Sequence, residues 1–224
     1  MKVDLISLSQ PNISGIRTAE EFISYCARVS NPPNQLNTHT AGGLLRYCIK
    51  HNHFSIFEMV NLVFEIETSR DIGRQIIRHR SFSFQEFSQR YAEADEVPIL
   101  RQTRLQDTKN KQNSIQTDDV VINQDFIKGQ QDLWEHSQRL YKQALTSGIA
   151  KEQARALLPE GMTKTRMYMN GSLRSWIHYC QVRCGVETQL EHRDIAKEIA
   201  KNLIANFKFL DTMEWLDDDY SAES

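Results

Sequence analysis

Arg78-His79-Arg80-Ser81-Phe82-Ser83-Phe84-Gln85-Glu86-Phe87-Ser88-Gln89-Arg90-Tyr91 is the stretch on which the reading of this chain turns. Its fourteen positions hold three arginines, a histidine, three serines, a glutamate and four aromatic residues, a mixture that no ordinary structural element needs. Guanidinium forks and hydroxyls suit phosphate oxygens, aromatic faces suit a flat heterocycle, and a carboxylate suits a sugar hydroxyl or a ring N–H. The inventory describes a nucleotide pocket. A solvated charged face would leave Phe82, Phe84 and Phe87 exposed beside the charges. A stacking platform for single-stranded nucleic acid is the other reading. The net charge of -2 and pI of about 6.4 provide no basic domain to follow a phosphate backbone, so no nucleic-acid partner is expected.

Outward from that stretch, Ser69 precedes a helical pattern carrying Ile72, Ile76 and Ile77, and this helix delivers the basic cluster at its negative end. Before it, Phe57 to Thr68 alternates Val60, Leu62, Phe64 and Ile66 with polar neighbours, which predicts a half-buried strand. Lys2 to Ser7 also alternates; Ala19 to Ala27, behind a Thr18 cap, and Ala41 to His51 have helical spacing. On the other side, about 106–119 is almost wholly polar and reads as a mobile loop. A long helix follows from Gln124 to Ser147, with Phe126, Leu133, Leu140 and Tyr141 as its apolar residues and Gly148 as its end. Lys151 to Leu158 is a shorter helix stopped by Pro159, Thr163 to Asn170 a second long strand, and Leu173 to Cys184 and Thr188 to Phe207 the last helices. An acidic tail begins near Asp217. The sum is an α+β chain: a single domain over 1–224, without repeats, whose small, mostly antiparallel sheet is flanked by long helices.

At 224 residues, 40% hydrophobic and 25% charged, the chain can bury one good core. No apolar stretch is long enough to span a bilayer, and Met1 to Leu5 lacks a signal-peptide core, so a cytoplasmic protein without a membrane partner is expected. Cys26, Cys48, Cys180 and Cys184 show no Cys-x-x-Cys spacing and read as free thiols. A zinc site on His51, His53 and His79 is the competing metal idea, but no carboxylate or cysteine falls in a recognised spacing with them, and no metal is expected. No Gly-x-Gly-x-x-Gly follows a strand, so a dinucleotide-binding Rossmann unit is not expected.

The opening stretch resembles the signature of the flavin-dependent thymidylate synthases, Arg-His-Arg-x-x-Ser-x-Asn-Glu-x-Ser-x-Arg-Tyr. Arg78, His79, Arg80, Ser83, Glu86, Ser88, Arg90 and Tyr91 fall on its fixed positions, and Gln85 replaces the usual Asn. Cys26 to Ser30, His51 to Glu58, Glu152 to Pro159, and Asn170 to Trp176 with Arg183 resemble further segments of the family, so the resemblance runs from about Cys26 to the last helix.

The resemblance implies reductive methylation of dUMP to dTMP. NADPH reduces FAD, 5,10-methylenetetrahydrofolate supplies only the one-carbon unit, and reduced flavin supplies the hydride, leaving tetrahydrofolate. Arg183 matches the arginine that favours ionisation of the uracil at N3, the catalytic role. Ser88, Arg90 and Arg155 match positions on the dUMP phosphate, with Gln75, Arg78, Glu86, Phe87 and Gln89 also in the substrate set. Ser55, Arg78, His79, Arg80, Glu86, Ser172, Arg174, His178 and His53 match the cofactor set, Ser172 standing where Asn is usual. The resemblance also implies a homotetramer with active sites at subunit interfaces.

Overall fold

Two nine-residue strands, each running directly into a helix, organise the protein. In chain order the regular elements are β1 (Lys2–Leu8), α1 (Ala19–Ala27), α2 (Ala41–Lys50), β2 (Asn61–Ser69), α3 (Arg70–Ile76), β3 (Ser83–Glu86), β4 (Arg104–Gln106), β5 (Ser114–Gln116), α4 (Val120–Thr146), α5 (Lys151–Ala154), β6 (Lys164–Ser172), α6 (Leu173–Arg183) and α7 (Leu190–Asn206). The computed structural model describes residues 1–94, 97–217, 220 and 221; most of the expected acidic tail lies outside the described residues.

The main sheet has the order β1-β2-β6-β3. Its neighbours run antiparallel: the N–H of Leu173 donates to the Val60 carbonyl, and that of Arg70 to Thr163, so the start of β2 meets the end of β6 and the reverse. The chain groups into two compact units. One comprises Met1, Glu67–Arg78 and Gln85–Met167, and the other Lys2–Ile66, His79–Phe84 and Tyr168–Ser224.

In the second unit, alternation from Val60 into β2 buries Val60, Leu62, Phe64 and Ile66 completely. Phe64 and Trp176 meet edge-to-face at 4.7 Å, and the Trp176 indole N–H donates to the Leu62 carbonyl at 3.3 Å. Ile195, Ile199 and Leu203 of α7 complete this core. Thr18 and Glu21 form a capping box that fixes the start of α1 at Ala19. The expected strand from Phe57 begins later: Phe54–Met59 is a 3₁₀ turn, entered through Asn52 at φ 58°, with Phe57 stacked on Phe209 at 5.6 Å.

In the first unit, α4 begins at Val120 rather than Gln124, because the Asp119 carboxylate accepts the N–H groups of Val121 and Ile122. Phe126 and Leu133 are exposed, whereas Trp134 and Tyr141 are buried; the core-facing side of α4 is the one carrying Gln130, Trp134, Gln138 and Tyr141. The segment expected as a loop at about 106–119 contains a hairpin, with β4 and β5 pairing Arg104 to Gln116 and Gln106 to Ser114. Its reversal is closed by the Asp107 carboxylate, which accepts from the N–H groups of Lys109 and Asn110, a turn chemistry that polarity alone hides.

Candidate active site

Within the first unit, the end of the opening stretch docks on α5. Arg90 Nε lies 3.4 Å from a Glu152 carboxylate oxygen, and Arg155 Nε donates to the Glu152 carbonyl at 3.2 Å. Lys151 donates to the Tyr91 carbonyl. One residue, Glu152, therefore gathers two arginines that lie sixty-five positions apart. Ser88 sits in the adjoining turn, where its hydroxyl accepts from the Arg90 N–H at 3.4 Å and its carbonyl from those of Tyr91 and Ala92. Among the described residues no imidazole is hydrogen-bonded to Ser88. Gln89 is 3% exposed, and its side-chain Nε2 is buried without a hydrogen-bond partner among the described residues.

Glu86 closes β3 half-buried. Thr165 Oγ1 donates to its carboxylate at 2.8 Å, and the guanidinium of Arg70, 7% exposed, lies 3.7 Å away. Gly73 makes this approach possible: a Cβ there would sit 2.9 Å from Met167 Cε and 3.3 Å from Thr165 Cγ2. Phe87 lines a small cavity of about 160 Å³ with Glu67, Lys164, Thr165 and Arg166. Gln75 occupies the last turn of α3, and Arg78 follows it, exposed.

The second unit holds the remaining residues. Ser172 is the N-cap of α6: its hydroxyl accepts from the Ser175 N–H and donates to Glu58, whose other oxygen takes Arg174 NH1 at 2.9 Å. Glu58, Arg174 and His178 line a cavity of about 440 Å³ together with Phe54, Ser81, Ser175 and Gln181. A guanidinium, an imidazole, two hydroxyls and an aromatic ring in a space of that size fit part of a flavin dinucleotide. His53 and Ser55 are exposed at the adjoining 3₁₀ turn, where Tyr47, His51 and His53 form a ring cluster with centroids 4.2–6.2 Å apart. Among the described residues no three His, Cys, Asp or Glu side chains are grouped to hold a metal ion.

His79 and Arg183 meet in this unit, while Arg80 stays exposed. Arg183, the last residue of α6, donates its Nε–H to His79 Nε2 at 2.9 Å. Burial, then the charges of Arg183 and His178, hold His79 down to about 4. Of the aromatic residues in the stretch, Phe82 serves packing. Phe82 stands edge-to-face on Trp176 at 4.6 Å, and a Cβ on Gly171 would come within 2.4 Å of its ring. The sequence reading gave no role to Glu58, Glu152, Arg70 or Thr165. The first two could have been suspected, since each is a carboxylate inside a segment already singled out; Arg70 and Thr165 carry no such signal.

The family model for thymidylate synthase complementing protein matches residues 13–207. A relative from Paramecium bursaria Chlorella virus 1 is 48% identical over 217 residues, covering 96% of this chain and 100% of its own. A flavin-dependent thymidylate synthase of Synechocystis sp. is 48% identical over 219 residues, with the same coverage. Among solved structures, the fold is similar to that of the UMP/dUMP methylase PolB of Streptomyces cacaoi, with a TM-score of 0.78 at 24% identity over 93% of this chain and 90% of that one.

Proposed function

This chain belongs to the thymidylate synthase complementing protein family, the flavin-dependent thymidylate synthases, and from that premise we propose that it methylates C5 of dUMP to give dTMP. Methylenetetrahydrofolate is the one-carbon donor, and FAD, once bound and reduced by NADPH, supplies the hydride that completes the methyl group.

The residues of this chain have four tasks. Arg183 puts a fixed cation where negative charge develops on the uracil ring as the N3 proton leaves, which raises the electron density at C5. Ser88, Arg90 and Arg155 hold the phosphate, and Glu152 keeps the two guanidinium groups together before substrate arrives. Gln75, Arg78, Glu86, Phe87 and Gln89 surround the sugar and base. His53, Ser55, Arg78, His79, Arg80, Glu86, Ser172, Arg174 and His178 hold the flavin.

The observation that carries this reading is the bond from Arg183 to His79. It joins the family's signature to an arginine more than a hundred residues away, as a uracil-activating cation beside a flavin site requires. Residues 1–224 act as one domain in this reading, since β2, β3 and β6 each have residues in both compact units. A homotetramer is supported by the exposed apolar residues Val120, Val121, Ile122, Phe126, Ile127 and Leu133 on α4, a patch that a second copy would cover. Cytoplasmic location is supported by four free cysteines, three of them buried. No helix among the described residues is long and apolar enough to cross a membrane.

The test is the visible spectrum of the purified protein with and without dUMP, followed by anaerobic NADPH. Flavin bands that shift with dUMP and bleach with NADPH are expected, together with dTMP and tetrahydrofolate once the folate is added. A colourless protein that takes up no FAD overturns the reading.

A further inference from the structure

Arg183 has to present its guanidinium in one orientation to act on a uracil ring, yet it ends a helix on a long, rotatable side chain. Its Nε–H is an obligate donor, so His79 Nε2 has to accept, and the imidazole proton therefore resides on Nδ1. With Nε engaged by His79, the direction of that N–H is held, and the two terminal nitrogens of the guanidinium form the edge left for a ligand.

What holds His79 is buried. Its ring stands edge-to-face on Tyr179 at 4.9 Å and on Phe82 at 6.3 Å, and nearly perpendicular to His192 at 6.4 Å. Tyr179 lies four residues before Arg183, one turn earlier on the same face of α6, so its ring floors the space in which the imidazole and guanidinium meet. Tyr179 and His192 are both 0% exposed, and the Tyr179 hydroxyl and His192 Nε2 are 3.0 Å apart. A buried hydroxyl or imidazole left unpaired is costly, so this bond restricts the Tyr179 ring to one orientation. Burial and nearby cations also keep both imidazoles neutral, with His192 lowered to about 3, which suits an acceptor for arginine.

We propose that Tyr179 and His192 are positioning residues for the methylation reaction, acting through His79, whose Nε2 is the fixed acceptor that orients Arg183. This rests on the function proposed above. The rival account, in which the pair merely satisfies two buried polar groups, predicts no specific effect on turnover once the protein is folded.

Two measurements decide it. In the wild-type holoenzyme, histidine-selective ¹⁵N spectra at pH 7 should show His79 as the neutral Nδ1–H tautomer, assigned by the resonances lost in His79→Gln. An Nε2–H tautomer or a protonated ring overturns the proposal. In kinetics, Tyr179→Phe keeps the ring and removes the hydroxyl. It should lower kcat for dTMP formation about tenfold, with KM for dUMP, FAD content and the rate of flavin bleaching by NADPH each within about twofold of wild type. His79→Gln, which keeps an acceptor, should turn over about tenfold faster than His79→Leu at equal FAD content. Wild-type kcat in Tyr179→Phe, or equal loss in the two His79 variants, overturns the proposal even if the tautomer is as expected. A wild-type protein that binds FAD but makes no dTMP refutes the function instead, and the tautomer then still decides whether His79 is the acceptor for Arg183.

Discussion

The two strand-to-helix junctions, β2 into α3 at Ser69 and β6 into α6 at Ser172, start from the same backbone and use their serines in opposite ways. Both follow a nine-residue strand, and both serines are extended, at φ -80° and ψ 155° for Ser69 and φ -68° and ψ 157° for Ser172. Ser172 caps its helix by accepting from the Ser175 N–H. Ser69 does not. Two residues on, the Asp71 carboxylate accepts from the Ser69 hydroxyl at 2.5 Å, and Arg101 donates to both groups at 2.6 Å. Ser172 also donates to a carboxylate, that of Glu58, and still caps; at Ser69 it is the Arg101 guanidinium that donates to the hydroxyl in place of a backbone N–H, so a serine before a helix predicts the boundary but not the cap. The helices differ accordingly. The capped α6 runs eleven residues and ends in an Arg183 fixed by His79; α3 runs seven, and Arg78 beyond it is exposed.

Replacing the two terminal arginines should separate the junctions most sharply. Arg183→Ala is expected to lower dTMP formation by about a thousandfold while FAD stays bound, whereas Arg78→Ala should lower FAD content first. Turnover measured beside the flavin absorbance distinguishes them, and near-normal turnover in Arg183→Ala removes its role.

Adding one methyl group at each junction's glycine comes next. Gly171→Ala brings a Cβ within 2.4 Å of the stiff Phe82 ring and should cost about 3 kcal/mol, read as a lower urea midpoint. Gly73→Ala meets the flexible end of Met167 at 2.9 Å and should cost about 1 kcal/mol.

Acid should weaken the unit that contains α6. His79 and His192 are lowered in the folded state to about 4 and about 3 from 6.5, so in that window the unfolded chain binds more protons than the folded one. Their contribution is complete above about pH 6.5 and is lost as pH falls through 4 and 3. Urea midpoints at pH 7, 5.5 and 4.5 should decline in that order, and less steeply in His192→Gln.

The smallest effects belong to the serines themselves. Ser172→Ala should cost about 1 kcal/mol as a lost cap, and Ser69→Ala about 0.5 kcal/mol, because Arg101 and Asp71 keep each other. Equal costs would mean that the difference in bonding has no energetic weight.

Most of the fold was legible because its signals are periodic. Val60 to Ile66 and the Thr18 capping box mark burial and a boundary directly. The hairpin of β4 and β5 escaped notice because its strands carry polar side chains and its closure depends on the Asp107 carboxylate. The candidate site was legible as segments through a resemblance, but its joints were not. Glu152 against Arg90, Glu58 between Ser172 and Arg174, and Tyr179 beneath His79 are contacts between distant parts of the chain, and no local pattern encodes them. Of the aromatic residues in the opening stretch, Phe82 packs edge-to-face on Trp176 within its own unit, a partner that no spacing in the sequence announces.

The contact between Gly171 and Phe82 also limits how this chain can diverge. A side chain at 171 and a phenyl ring at 82 exclude each other, so the two positions can change only as a pair, with a shrinking residue at 82 preceding any growth at 171. Position 82 lies three residues from His79, and the ring contacts of Phe82 reach that imidazole and Trp176. Drift in a strand nearly ninety residues downstream is thereby tethered to the stretch that carries the chemistry, and homologues with Ala or Ser at 171 should carry a smaller residue at 82.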